Sequence, residues 1–231
     1  MNNVFRTILH SKLVSTIIIS LYKLDFWRKC RINKYLSHST QPKLHLGFGS
    51  NYLACWLNTD ITLKACKEGV YLDVGRPFPL SDNSVNYIFS EHLFEHLTYP
   101  QALNMLSESY RVLKPGGVMR LATPDLRFLL GLYQDPEKPI HKEYIEYSAK
   151  EGNIPATPVF VINRFHTAWG HQIIYDKETL IGLLTQAGFT NICQCEVSQS
   201  EHSQLQNVEG HFHYLPYEYN RLETMIFEAT K

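Results

Sequence analysis

Two short runs of the chain set imidazoles and carboxylates at spacings that could move a proton: Glu91-His92-Leu93-Phe94-Glu95-His96 and Asn163-Arg164-Phe165-His166-Thr167-Ala168-Trp169-Gly170-His171. Histidine titrates near neutrality and can take a proton from a hydroxyl or amine. His92, His96, His166 and His171 are therefore candidate general bases, with Asp125 in Thr123-Pro124-Asp125 as a carboxylate alternative. Each also has a plainer use, in capping a helix, lining a pocket or ordering a loop. His92 and His96 are spaced i, i+4, but the register is EHxxEH rather than HExxH, and no metal is expected. A second group of residues could hold a ligand. Gly47 and Gly49, in Leu44-His45-Leu46-Gly47-Phe48-Gly49-Ser50-Asn51, let the backbone turn sharply and offer amides to an anionic group. A plain tight turn fits this pair equally well. Asp60 follows about eleven residues beyond Gly49, where doubly wound folds use an acid to accept hydrogen bonds from ribose hydroxyls.

These residues need a scaffold that brings strand ends together. After Gln41-Pro42 the chain alternates short apolar runs with helical patterns, which predicts an α/β domain with a mostly parallel sheet and helices on both faces. The patterning places strands near 43–47, 56–60, 70–73, 85–90, 117–123, 190–197 and 223–229. It places helices near 50–55, 100–113 and 176–187, the last opening at Asp176 and closing at Gly188. Residues 125–170 are punctuated by Pro136, Pro139, Pro155 and Pro158 and read as an inserted lid or substrate segment. Glu209 to Tyr219 is rich in aromatics suited to stacking on sugars or rings.

The chain has 231 residues, 44% apolar and 19% charged, enough for one sizeable domain and an appendage. Residues 42–231 are assigned to that domain and 1–41 to a basic helical extension. Net charge is zero, with 22 basic and 22 acidic residues, but residues 1–43 carry eight basic side chains against Asp25 alone. That leaves the lead-in at +7 and the remainder at −7. An acidic body disfavours a nucleic-acid substrate. Leu13 to Leu24 is too short an apolar run to span a bilayer, for which ~20 residues are needed. With Tyr22, Trp27 and flanking cations, residues 1–36 suit contact with a membrane surface. No signal-peptide cleavage pattern follows. Five scattered cysteines without a CxxC pair suggest a reducing, cytoplasmic setting.

LHLGFGS, NTDI, LDVGRPFPLSDNSV, EHLFEHL and RVLKPGG occur in that order over Lys43 to Phe189, and the chain so resembles class I, S-adenosylmethionine-dependent methyltransferases of the ubiquinone and menaquinone biosynthesis type. That resemblance implies a Rossmann-like seven-stranded sheet with S-adenosyl-L-methionine across the ends of its first four strands. It implies that Gly47 and Gly49 cradle the methionine portion and that Asp60 and Ile61 meet the ribose. Asp73 and Val74 would lie by the adenine, and Ser90 and Glu91 near the sulfonium. Two positions depart from the pattern. The acid expected before the first glycine is His45, and the third glycine is Asn51, so weaker cofactor binding is expected.

The resulting expectation is in-line methyl transfer to a hydroxyl or amine of a small-molecule or glycan acceptor. Two other readings stand beside it: a cofactor-binding scaffold without catalysis, and a nicotinamide-dependent oxidoreductase. Tyr52 at the place of the third glycine of GxGxxG argues against the latter. The acceptor and the oligomeric state stay open at this level.

Overall fold

The computed structural model describes residues 25–62 and 67–231; the apolar run before Asp25 lies outside the described residues. The first helix, α1 (Asp25–His38), docks on the domain rather than extending from it. Ile32 is buried in the main core. The Tyr35 hydroxyl accepts from the Lys43 amide at 2.9 Å and also reaches the Lys43 and Cys55 carbonyls. Phe26 and Trp27 remain exposed, ring edge to ring face. No described helix is long and apolar enough to cross a membrane.

Seven strands follow: β1 (Lys43–Leu46), β2 (Leu57–Asp60), β3 (Val70–Tyr71), β4 (Val85–Glu91), β5 (Leu113–Pro124), β6 (Thr190–Cys195) and β7 (Thr224–Thr230). The described residues form one sheet in the order β3-β2-β1-β4-β5-β7-β6. All pairings are parallel except those of β7, which runs antiparallel to both β5 and β6. This is the Rossmann-like, seven-stranded arrangement expected from the alternation of elements. Its strand order reverses between β1 and β4, and the crevice outside the carboxyl ends of such strands is where ligands bind in open α/β sheets.

Alternation along β1 separates two apolar layers. Leu44 and Leu46 join the larger core with α2 (Tyr99–Val112) and α6 (Lys177–Gln186). Thr98 and Gln101 form a capping box on α2, and Asp176 caps α6 through the Thr179 amide. The opposite face of the sheet packs Trp56, Phe89, Val118, Leu205 and Val208.

The helix expected at 50–55 is absent, which corrects that reading. Asn58 accounts for it: its side chain accepts from the Leu53 amide at 3.0 Å and donates to the Leu53 and Trp56 carbonyls. Those backbone groups are thereby drawn into a loop, and Cys55 turns through φ +66°. The segment after β5 folds as α3 (Leu126–Gln134), α4 (Pro139–Gly152) and α5 (Pro158–Thr167). Pro139 and Pro158 open helices where a missing N–H costs nothing. These three helices bury Leu129, Leu132, Tyr144, Ile145, Val161 and Phe165 in a core of their own. α7 (Tyr217–Glu223) leads into β7.

Candidate active site

The glycine loop leaves β1 with Gly47 at φ +68° and Gly49 at φ +49°, backbone conformations that L side chains resist. A Cβ on Gly47 would stand 2.8 Å from Leu93, whereas the space around Gly49 is open. The Gly49 amide donates to Asp60 Oδ2 and the Thr62 amide to Oδ1, each at 3.0 Å. Asp60 thus ties the ends of β1 and β2 together and keeps spare lone pairs for a diol. Ile61 beside it is an apolar side chain that is 58% exposed. Asp73 is drawn into its own turn, accepting from the Gly75 amide at 3.0 Å and pairing with Arg76 at 3.2 Å. Val74 and Ser90 are buried.

The two departures from the methyltransferase pattern have structural explanations. His45 points into the second apolar layer, packed against Phe89 with ring centroids 4.9 Å apart, and its Nδ1 donates to Asn58 Oδ1 at 3.2 Å. Burial lowers its pKa to about 4. Asn51 donates to the Val208 carbonyl at 2.9 Å and packs on Gly210, where a Cβ would meet it at 2.6 Å. A side chain at the third glycine position therefore fastens the glycine loop to the segment before α7. Glu91 fastens the same segment to β4, accepting from the Gly210 amide at 2.8 Å and the His211 amide at 3.1 Å. Tyr214 hydrogen-bonds Ser50 from the other side.

Beyond β4, β5 and β7 lies a cavity of about 520 Å³ whose lining runs from His92, Glu95 and His96 to Arg164, Trp169 and His171 on one side and His211, Tyr214 and Glu223 on the other. Three of the expected bases, His92, His96 and His171, are brought together there. Two are not: His166 is exposed on α5 outside the lining, and Asp125 caps α3 through the Arg127 amide at 2.8 Å. Burial raises the Asp125 pKa even so.

His92 sits at φ +47° with both ring nitrogens engaged. Nδ1 faces Glu95 Oε1 at 3.1 Å and Nε2 faces Thr224 Oγ1 at 3.2 Å. The Thr224 hydroxyl gives its proton to Asn220 Oδ1, leaving it to accept from His92. Both nitrogens then donate, the pattern of an imidazolium. Burial opposes that charge, but the Glu95 hydrogen bond and the surrounding carboxylates outweigh it, and the His92 pKa is raised. Burial likewise works against the Glu95 carboxylate, which the bond from His92 and its charge nevertheless hold below the usual range. Burial lowers the His171 pKa.

Glu95, His211, Glu223, Tyr144 and Arg164 are cavity residues that the sequence reading did not single out. His211 stacks on His92 with centroids 3.8 Å apart, and its Nε2 stands 3.4 Å from Glu223 Oε1. Tyr144 donates to the other Glu223 oxygen, and burial followed by that carboxylate raises its pKa far above the phenolic value. The Glu-x-x-x-Glu spacing of Glu91 and Glu95 was a signal for the first of these. His211 and Glu223 had none beyond their aromatic surroundings.

Residues 44–121, roughly a third of the chain, match the family model described as a methyltransferase domain. A structure of a SAM-dependent methyltransferase from Archaeoglobus fulgidus aligns at TM-score 0.50 and 17% identity, over 90% of this chain and 94% of that one. A SAM-dependent methyltransferase structure from Thermotoga maritima aligns over all of both chains at TM-score 0.49 and 17% identity. No curated protein matches the chain. Over β1 to β5 the chain matches the model of a methyltransferase domain, and its seven-stranded sheet shares the fold of the Archaeoglobus fulgidus SAM-dependent methyltransferase.

Proposed function

We propose that this chain transfers the methyl group of S-adenosylmethionine to a hydroxyl or amine of a small-molecule or glycan acceptor held in the cavity. One observation carries the reading: the cavity adjoins the glycine loop through Tyr214, which lines the first and hydrogen-bonds Ser50 of the second. The donor set fits the cofactor, with open space at Gly49, a carboxylate at Asp60 and an uncovered apolar face at Ile61. When bound, S-adenosylmethionine supplies an already activated methyl on its sulfonium, so the chain mainly has to align the acceptor and exclude water.

Aromatic walls from Tyr147, Phe165, Trp169 and Tyr214 suit a sugar or ring face. With both nitrogens of His92 committed, His211 backed by Glu223 is the better-placed group to accept an acceptor proton, in the manner of a histidine oriented by a carboxylate. Within the class, the order of motifs from LHLGFGS to RVLKPGG favours the ubiquinone and menaquinone biosynthesis type.

The test is calorimetric titration with S-adenosylmethionine, S-adenosylhomocysteine and NAD, on the wild type and Asp60→Ala. Saturable binding of the adenosyl ligands alone, weakened in the variant, supports the reading and licenses an acceptor screen that follows S-adenosylhomocysteine release. Binding of NAD instead, or of none of the three, overturns it. Tight cofactor binding without turnover on any acceptor turns the reading to a scaffold.

A further inference from the structure

The cavity wall brings together three side chains from two distant stretches of sequence. Glu95 and His96 follow β4, and His171 follows α5; a carboxylate oxygen and one nitrogen of each ring lie within 4.8 Å of one another. We propose that Glu95, His96 and His171 bind one divalent transition-metal ion, with the remaining coordination positions open to the cavity. Two imidazoles and one carboxylate are a ligand set for zinc, manganese or iron rather than for magnesium or calcium. The EHxxEH register gave no hint of this, because the second imidazole comes from a different segment.

The trio is held as ligands are held. The Glu95 side chain is fully buried, and its two oxygens accept separately from His92 Nδ1 and Thr123 Oγ1, at 3.1 Å each. Each oxygen retains a lone pair. His171 Nδ1 donates to the Phe165 carbonyl at 2.6 Å, which fixes the tautomer and leaves Nε2 as an acceptor, the outer-shell arrangement common to metal-bound histidines. The chain just after His171 is stitched to the same acid: the Gln172 and Ile173 amides both donate to the Glu95 carbonyl, at 2.7 and 3.2 Å. His96 stands edge to face with His171, centroids 4.7 Å apart. Bonds of ~2.0–2.2 Å would set the ligand atoms ~3–4 Å apart, a closure of at most about 2 Å from the present spacing.

The surrounding charge favours a cation. Glu95, Glu151 and Glu223 line the cavity against the guanidinium of Arg164 and the imidazolium of His92, which leaves one negative charge in excess. All three ligands are lining residues, so water or an acceptor oxygen could complete the coordination shell. Ion binding is argued from these side chains and does not depend on methyl transfer; the orientation of an acceptor oxygen by the ion rests on the proposed function.

The test uses the full chain, treated with chelator and titrated with Zn2+ and with Co2+ as a spectroscopic probe. A further group, Cys193, Cys195 and Glu228, lies on and beside the edge strand, so Cys193→Ser/Cys195→Ser is included as a control. We expect one equivalent of metal, visible-region Co2+ bands of nitrogen and oxygen ligation without thiolate charge transfer, retention in the cysteine variant, and at least a tenfold loss of affinity in His171→Ala and His96→Ala. Circular dichroism and S-adenosylmethionine binding report whether those variants fold. The Co2+ spectrum of the wild type stands even if they do not. No stoichiometric binding, a thiolate spectrum, or unchanged affinity in both folded histidine variants overturns the proposal, and none of these outcomes bears on whether the adenosyl ligands bind.

Discussion

The Glu91 carboxylate at the end of β4 accepts from the backbone amide of Gly210 at 2.8 Å, and with the His211 amide at 3.1 Å it fixes the segment that closes the cavity. Charge-assisted bonds of this kind contribute about 1.5–3 kcal/mol each. Glu91→Ala is expected to release Gly210, His211 and with them Tyr214, while Asn51 still holds the Val208 carbonyl. The signature is a KM for the methyl acceptor raised at least tenfold, once an acceptor is known. Before that, faster amide hydrogen exchange across 208–214 checks it. Unchanged exchange there would show that the Asn51, Ser50–Tyr214 and Arg120–Glu209 contacts hold the segment without Glu91.

Asp60 connects sequence, loop and ligand in a single side chain. Its two oxygens accept from the Gly49 and Thr62 amides, and under the proposed function the remaining lone pairs would take the ribose diol. Asp60→Ala should lower S-adenosylmethionine affinity at least about 100-fold, the lower end for two lost charge-assisted hydrogen bonds. The melting temperature should move little, because both amides gain access to water. Asp60→Asn, which keeps an acceptor oxygen, should recover part of the affinity in the same titration.

The seven strands were legible because apolar runs at regular intervals, separated by helical patterns, leave few alternatives to a doubly wound sheet. Asp176 as a helix start was legible for the same local reason. What escaped was contributed by single polar side chains acting across the chain. Asn58 reaches back to Leu53 and abolishes the helix expected at 50–55. Asn51 and Glu91 reach forward to Val208 and Gly210. The cavity histidines divide likewise: His92 and His96 share one short segment with Glu95, but His171 and His211 arrive from elements whose placement depends on the sheet order. His166 and Asp125 looked equivalent in sequence, yet one faces outward on its helix and the other is used as a cap.

His45 makes stability depend on pH in a definite direction. Its folded pKa is about 4 against an ordinary 6.5, because burial beside Phe89 and Trp56 penalises the charged ring. The unfolded chain therefore binds more protons between those values. The stabilisation is complete above about pH 6.5 and is lost as pH falls toward 4. The loss from this residue is about 2 kcal/mol at pH 5. Urea unfolding at pH 7.5 and pH 5 should show it, and His45→Gln should flatten the pH dependence by that amount, even if the variant is less stable overall. An equal slope in both proteins would mean that the imidazole is solvated and not packed as described.

Arg120 extends the argument from the core of β5 to the rim of the cavity. Its side chain is fully buried and contacts Glu209 and Glu228 at 2.6 Å each, while donating to the Gln199 and Glu196 carbonyls. Glu209 in turn accepts from the Ser198 amide. One central-strand arginine therefore anchors the 196–209 segment immediately before Gly210 and His211. Replacing a buried cation by an apolar side chain leaves its carboxylates uncompensated, which costs about 3–5 kcal/mol. Arg120→Met should lose that much in urea unfolding. Neutralising the stranded acids as well, in Arg120→Met/Glu209→Gln/Glu228→Gln, should recover a good part of it, since the penalty lies in the unpaired charges more than in the absent bonds. If the triple variant is no better than the single one, the arginine's carbonyl contacts and packing carry the stability instead, and the 196–209 segment is held by shape rather than by charge.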